Sequence, residues 1–589
     1  MRTTARGTDA ADHIAQLLVG GFDESYRLFR QISAQAKARF EAADWAAVGK
    51  AVRERIQLED EQVDRTAEEL QAAIREAPLD AAAWRRSKLH FVELLVDHKQ
   101  PELAETFFNS VSTRALGRTY VRNELMFLRA ALSTEYIPAD PPTYRSYYPH
   151  GDFVSTFARI LRDFGWSRPF ADLERDCERL VRTLEPKLQA TRPSLHLCVL
   201  SSAFYRNKAA YVVGKVVNGN QEQPFAIAVV HDHEQRLALD TVLLDSAAID
   251  ILFSLSRAYF MVDMQVPSGY VEFLRTIMPT KPRSEIYSSL GLGKQGKTLF
   301  IRDLLHHLHH SEDLFIEAPG FRGQVMHVFT LPSYPYVFKL IRDRFGPTKN
   351  TTREAVVQKF QIVKEVDRVG RMVDALEFVD LALPLDRFSP VLLSQLEELT
   401  PSSITVEGGS LIVKHCYVER RMIPLDMYLR TAADAEVDRV VREYGDTLRE
   451  LAIANIFPGD LLWRNFGLTR HGRVVCYDYD ELEYLTDCVF RKIPPAPNPE
   501  AELADEVWYA VGSRDVFPEE FETFLLGGES IREAFLHHNP ELLRAAFWQE
   551  CQRRIVAGEI VDFYPYPEEM RFANRFGRRR EPAARAVGG

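Results

Sequence analysis

Cysteine is scarce and unpatterned in this chain. The six that occur in 589 residues (Cys177, Cys198, Cys416, Cys476, Cys488, Cys551) show no paired spacing, and several fall in apolar runs. That excludes a disulfide framework and points to reduced, buried thiols in a cytoplasmic protein. Long apolar runs are missing too. None approaches the roughly 18 residues needed to cross a bilayer, and Met1-Arg2-Thr3-Thr4-Ala5-Arg6-Gly7 lacks the apolar core of a secretory signal. No membrane partner is expected. Nor is there a basic excess: 73 Lys and Arg stand against 84 Asp and Glu, a net charge of -11, which argues against a nucleic-acid partner. Neither a Cys-x5-Arg phosphatase loop nor a convincing binuclear-metal cluster of His and Asp is found. What is present is the composition of a soluble globular protein, 46% hydrophobic and 27% charged. The chain is too long for one hydrophobic core, so two domains are expected.

The chemistry is concentrated late in the sequence. Gly459-Asp460 is followed by Asn465 and then by Asp478-Tyr479-Asp480, a spacing that matches a protein-kinase active site. There the first acid orients the substrate hydroxyl, while an asparagine and a second acid hold Mg²⁺ against the nucleotide phosphates. A hairpin must return the second acid to the metal. Phe466-Gly467-Leu468, the turn Thr469-Arg470-His471-Gly472 and the strand Val474-Val475-Cys476-Tyr477 supply it.

Residues 316–340 fit the matching nucleotide half. Gly320 and Gly323 let backbone N–H groups approach phosphate oxygens. Lys339 lies in an apolar alternation, so an inward lysine would be buried and need anions: the phosphates and a helix glutamate. The period of Thr352 to Val373 predicts a helix, with Glu365 as the lysine's partner and Glu354 as the alternative. The segment His415 to Leu425, including Glu419 and Met422, ends a strand where a kinase hinge would meet adenine. It suits a plain interlobe connector equally well.

Here the resemblance becomes specific. The runs Ala318-Pro319-Gly320-Phe321-Arg322-Gly323, Asp367-Arg368-Val369-Gly370-Arg371-Met372-Val373-Asp374 and Asn455-Ile456-Phe457-Pro458-Gly459-Asp460 resemble the isocitrate dehydrogenase kinase/phosphatase family. Thr469-Arg470-His471-Gly472-Arg473-Val474-Val475 and Tyr477-Asp478-Tyr479-Asp480-Glu481 do likewise, as do Glu105 to Val111 and Phe204 to Ala210 in the first half. The likeness covers nearly the whole chain except the Arg-rich tail from about Arg578. It implies a bacterial bifunctional enzyme that phosphorylates a serine of isocitrate dehydrogenase and removes that phosphate, so controlling carbon flux between the tricarboxylic acid cycle and the glyoxylate bypass. It also implies an ATP site at Ala318, Pro319, Gly320, Phe321, Arg322, Gly323 and Gln324 with Lys339, and a functional acid at Asp374.

Departures from ordinary kinases matter. Pro458-Gly459 stands where His-Arg is usual, so no arginine waits to read a phosphorylated activation loop. Leu462 replaces the lysine expected two residues after Asp460, leaving Arg464 as the nearest cation, a fork rather than a point charge. Tyr479-Asp480 replaces Phe-Gly and adds a carboxylate. With no second catalytic constellation in the sequence, kinase and phosphatase are expected to share one site with Mg²⁺, ATP and ADP. Asp480 would orient a water, and Asp374 would bias the direction.

The expected fold is α+β: a mainly helical N-terminal regulatory domain with a small antiparallel sheet (residues 1–311), a bilobal protein-kinase-like domain (312–577) and a basic disordered tail (578–589). In the first part, Ile14, Leu17, Leu18, Phe22, Tyr26, Phe29 and Ile32 trace one helical stripe, and Asp44 can cap a second helix. Strands are predicted over Ala210 to Val217, Phe225 to Val230 and Leu237 to Leu244, with a turn at Asn218-Gly219 and a helix from Asp245 to Met261. Such a domain can sense a metabolite, AMP or another, though no residue names it. Two long segments, Ala375 to Thr400 and Glu481 to Pro499, are candidate docking elements for a folded substrate. Two competing readings remain: a catalytically dead kinase-like sensor module, and a phosphate-loop ATPase on Gly291-Leu292-Gly293-Lys294-Gln295-Gly296-Lys297-Thr298. The latter motif needs a strand before it, whereas the preceding residues read as a helix end. His306, His307, His309 and His310 lack the acid between them that catalytic zinc motifs carry, and read as a polar helix end.

Overall fold

Apolar periodicity at the N-terminus builds a helical layer. The computed structural model describes every residue except 1, 77–79, 118–123, 136, 139, 189–191, 255–258, 321, 348, 350, 499–507 and 578–589. Helix Arg2–Ala34 buries Ile14, Leu18, Phe22, Tyr26 and Phe29 against helices Trp45–Glu76, Ala81–Leu94 and Pro101–Leu116. Asp44 caps as expected, its carboxylate accepting the Ala47 N–H at 3.0 Å. The sheet beside these helices is antiparallel, in the order Tyr144–Tyr147, His196–Leu200, Ala209–Asn218, Gln221–His231, Leu237–Leu243, with Phe204–Arg206 also pairing with Ala209–Asn218. Period-two alternation sends its residues to two cores. Tyr211, Val213, Ala226 and Ala228 join the helical core, while Val212, Val216, Ile227 and Val229 pack on helices Phe153–Arg162 and Leu173–Leu184.

The chain divides into two compact units, one of Met1–Ser254, Tyr259–Leu299 and Asp562–Gly589, the other of Leu255–Ala258 and Phe300–Val561. In the second, an antiparallel sheet runs in the order Leu376–Pro384, Ser410–Arg420, Tyr336–Ile341, Met326–Thr330, Ile316–Glu317, with Ile404–Glu407 on Ser410–Arg420. Helix Arg353–Val366 accompanies it. A more helical lobe follows, with Asp434–Ile453, Glu529–His538 and Ala545–Val556. This is the expected α+β class with a bilobal kinase-like part. No helix among the described residues is long and apolar enough to cross a membrane.

Several expectations need correction. The helix begun at Asp245 runs only over Ser246–Leu252, and Met261 instead bridges Tyr205. The helix expected to Val373 stops at Val366, because the buried Asp367 carboxylate collects the N–H groups of Val369, Gly370, Arg371 and Met372 and holds the chain in a tight loop. Ala375 to Thr400 is no protruding loop: Leu376–Pro384 is a sheet strand and Pro390–Leu399 a helix. Residues 481–498 are partly pinned by short ladders at Glu483–Tyr484 and Val489–Phe490, and Pro499 lies outside the described residues. The phosphate-loop motif follows helix Arg283–Ser289, not a strand; Gly291 (φ +84°) makes the turn and Lys297 lies in helix Gly293–His310. The four histidines end that helix, and no metal-holding cluster of three His, Cys, Asp or Glu occurs among the described residues.

Candidate active site

A cleft of about 680 Å³ opens between the sheet and the helical lobe of the second unit. Ala318, Pro319, Gly320, Gly323, Lys339, Glu419, Met422, Arg464, Asn465, Asp478 and Asp480 all line it. Of the other nucleotide-site candidates, Arg322 is exposed and donates to Glu317 at 2.7 Å. Gln324 supports the loop by accepting the Gly346 N–H through its carbonyl oxygen (3.1 Å). Phe321 lies outside the described residues. Gly320 has φ +126°, a conformation that side chains resist.

The hairpin after Asp460 forms as its sequence dictates. Phe466–Leu468 pairs with Val474–Cys476 in the register Phe466↔Cys476, and the Tyr477 N–H donates to the Asn465 carbonyl oxygen (3.1 Å), so Asn465 and Asp478 arrive at the same end of the ladder. Asn465 Nδ2 donates to the Asp460 carbonyl oxygen (3.3 Å). This commits its amino group and leaves the amide oxygen as the end able to take a cation. Asp460 Oδ1 accepts the Leu462 N–H (2.9 Å), and Arg464 stands 3.8 Å from Oδ2. Gly459 has φ +78°, and a Cβ there would lie 2.1 Å from the Glu481 carbonyl oxygen. Only glycine lets the two acid-bearing segments approach this closely. Gly467 does the same for Met422, where a Cβ would fall 2.5 Å from the methionine's own.

Lys339 is buried, but its partner is not on the helix. Its Nζ sits 2.7 Å from Glu419 Oε2 and donates to the Tyr477 carbonyl oxygen at 2.7 Å. The expected partners Glu365 and Glu354 are exposed, Glu365 accepting from Gln361. Strand register explains the outcome: Lys339 lies opposite Tyr417 and Val337 opposite Glu419, so the long Lys339 and Glu419 side chains meet on the diagonal of one face. Burial pushes the Glu419 carboxyl up to about 7 against the pull of Lys339, with Asp478 and Asp374 raising it further. Burial, and then the neighbouring Asp478, raises Asp480 to about 7 as well. Asp480 is thus tuned unlike an ordinary surface acid.

Asp374 does not line the cleft, though its charge bears on Glu419 and Tyr479. The preceding segment is fixed by the Met372–Cys476 bridge and the Val373 N–H donating to the Cys476 carbonyl oxygen (3.0 Å). Arg371, fully buried, braces that segment through Glu443 (2.5 Å), Glu450 and the Val474 carbonyl oxygen (3.0 Å). Helix Arg353–Val366 reaches the site through Phe360, stacked on Tyr417 (3.6 Å between centroids) and edge-on to Tyr479 (4.8 Å). Sequence reasoning missed the Glu419 pairing and the Arg371 brace. A signal for the first was available: Glu419 ends the apolar run Cys416-Tyr417-Val418, where a buried acid needs a cation.

The oxygen-donor set fits Mg²⁺, which favours carboxylate and amide oxygens. Sheet, helix, hinge strand and hairpin together define a protein-kinase-like fold. The comparisons make the class narrower. Residues 313–568 match the isocitrate dehydrogenase kinase/phosphatase (AceK) kinase domain and residues 15–312 the regulatory domain of the same proteins. The chain is 56% identical over 581 residues to the isocitrate dehydrogenase kinase/phosphatase of Aromatoleum aromaticum, covering 98% of each chain. It is 56% identical to that of an Azoarcus species (96% and 97% covered) and 55% identical to that of Dechloromonas aromatica (97% and 97%). The chain belongs to the isocitrate dehydrogenase kinase/phosphatase family.

Proposed function

We propose that this chain phosphorylates a serine of isocitrate dehydrogenase and removes the same phosphate, both reactions using the one cleft and adenine nucleotide. The observation that carries this reading is that Lys339, Asn465, Asp478 and Asp480 line one cavity. Residues 1–311 act as the regulatory part, receiving AMP or another metabolite, and 312–577 as the catalytic part, with a basic tail at 578–589.

Lys339, steadied by Glu419, positions the phosphates, and the loop 318–324 covers them. Asn465 and Asp478 would hold Mg²⁺, whose charge offsets that of the phosphoryl oxygens. Asp460 orients the serine hydroxyl and takes its proton as the oxygen bonds to the γ-phosphorus and ADP leaves. Arg464 holds the transferred group, and positioning supplies most of the rate. In reverse, ADP accepts the phosphoryl group from phosphoserine, and Asp460 returns the proton to the serine oxygen. The ATP formed is hydrolysed by a water that Asp480 orients, and Asp374 biases the balance.

Incubating the full chain with labelled ATP and isocitrate dehydrogenase tests the reading. Asp460→Ala abolishes labelling while nucleotide still binds, and Lys339→Ala removes both activities. Asp480→Ala loses phosphatase and ATPase but keeps kinase. Dephosphorylation at full rate without any adenine nucleotide would place the phosphatase elsewhere.

A further inference from the structure

One polar atom of the cleft has no partner. Glu419 is 1% exposed; its Oε2 receives Lys339, but its Oε1 is buried without a hydrogen bond. A carboxylate oxygen in that position is stable only if something brings it a donor. Its placement says what kind. Glu419 and Val337 are directly opposed on neighbouring strands, Lys339 follows two residues after Val337, and all three face the cleft. Lys339 marks the phosphate end. Val328, Val337 and Met422 supply apolar side chains on which a flat base can lie. Glu419 stands at the junction between the two, with Oε2 turned to Lys339 and Oε1 left over; its charge would repel phosphates, so a donor on the base is the partner that suits Oε1.

We propose that Glu419 Oε1 accepts a hydrogen bond from the exocyclic amino group of a 6-aminopurine, so that the cleft selects adenine over 6-oxopurine nucleotides. The proposal rests on the nucleotide reading of the cleft given above. A carboxylate only accepts, and so does the 6-oxo oxygen of inosine or guanine. A 6-oxopurine therefore leaves Oε1 without a donor and sets two acceptors against each other. Sites built around a required hydrogen bond reject the analogue lacking it far more strongly than apolar pockets reject a missing methylene.

Calorimetric binding of ATP and inosine triphosphate, each with Mg²⁺, to the full chain at pH 8.5, where Glu419 is held as the acceptor-only carboxylate, tests this. Wild type binds inosine triphosphate about 100-fold more weakly than ATP. In Glu419→Gln the carboxamide can turn to accept from the amino group or donate to the oxo group, so the ratio falls to about threefold or less. Weaker Lys339 pairing in that variant lowers both affinities together and leaves the ratio readable. If Glu419→Gln does not fold, purine riboside triphosphate, with hydrogen at C6, decides on wild type: it binds at least about 10-fold more weakly than ATP. Equal binding of ATP and inosine triphosphate to wild type overturns this inference and leaves the nucleotide site standing. So does a preference for inosine triphosphate, or an unchanged ratio in Glu419→Gln. Failure of wild type to bind ATP at all overturns the nucleotide reading itself.

Discussion

Gly459→Ala is a one-carbon change with a large expected effect on turnover. The added Cβ would meet the Glu481 carbonyl oxygen at 2.1 Å, where real Cβ atoms keep at least 3.0 Å, so the two segments must part by about 1 Å. The φ of +78° adds about 1–2 kcal/mol for an L side chain. Neither segment can yield harmlessly. One carries Asp460 on the next residue, and the other carries Asp478 and Asp480 just upstream. A displacement of about 1 Å between reacting groups costs about 10²-fold in rate. Gly459 does not line the cleft, so ATP affinity should change by no more than about threefold, as expected when only positioning of the transition state is lost. The assay is single-turnover phosphorylation of isocitrate dehydrogenase alongside nucleotide binding to the same preparation. Turnover within about threefold of wild type would refute the argument that this turn fixes Asp460. Equal loss of turnover and ATP binding would point instead to general unfolding.

Arg371→Met keeps the side-chain volume but leaves Glu443 and Glu450 with Arg473 as their remaining cation, at 3.5 and 3.1 Å. It should destabilise the second unit by about 2–3 kcal/mol in urea denaturation, less than the loss of a wholly unpaired buried charge, and a loss below about 1 kcal/mol would contradict the brace. Glu102, inside the helical layer and hydrogen-bonded by Tyr287, is pushed by burial from 4.5 up to about 7. Its folded pKa is raised, so stability is fully present below about 4.5 and is lost as pH rises through about 7, by up to about 3 kcal/mol. Glu102→Gln should therefore raise the thermal midpoint relative to wild type at pH 8 but not at pH 4.5, and equal shifts at both would sink the linkage argument.

Local features were the legible ones. The Asp460–Asp478 hairpin follows from spacing within twenty residues, and the Asn218-Gly219 turn sits between strands Ala209–Asn218 and Gln221–His231. That second strand starts earlier than its apolar alternation because Gln221, Glu222 and Gln223 pair through backbone, which carries no hydrophobic signature. Phe260, Met261 and Val262 extend the apolar pattern beyond helix Ser246–Leu252, yet they are buried for tertiary reasons. In Leu376–Pro384 the acids Glu377 and Asp380 break the apolar alternation that marks a strand, although the register holds on either side of Asp380, from Val379↔His415 to Leu381↔Val413. The lysine's partner lay eighty residues away, set by a strand register that no local pattern encodes.

Where a kinase lysine is paired with a glutamate on a mobile helix, rotating that helix breaks the pair and silences the enzyme. Lys339 and Glu419 ride on adjacent strands of one sheet, clamped by the backbone ladder between Tyr336–Ile341 and Ser410–Arg420. No swing of helix Arg353–Val366 can part them. A resting form would keep this lysine pair, and with it, on the proposed reading, its grip on nucleotide. On the proposed reading of the cleft, restraint applied at the Asp374 segment or the hairpin acids would leave the silent enzyme a loaded one, ready to act in either direction without first refilling its cleft.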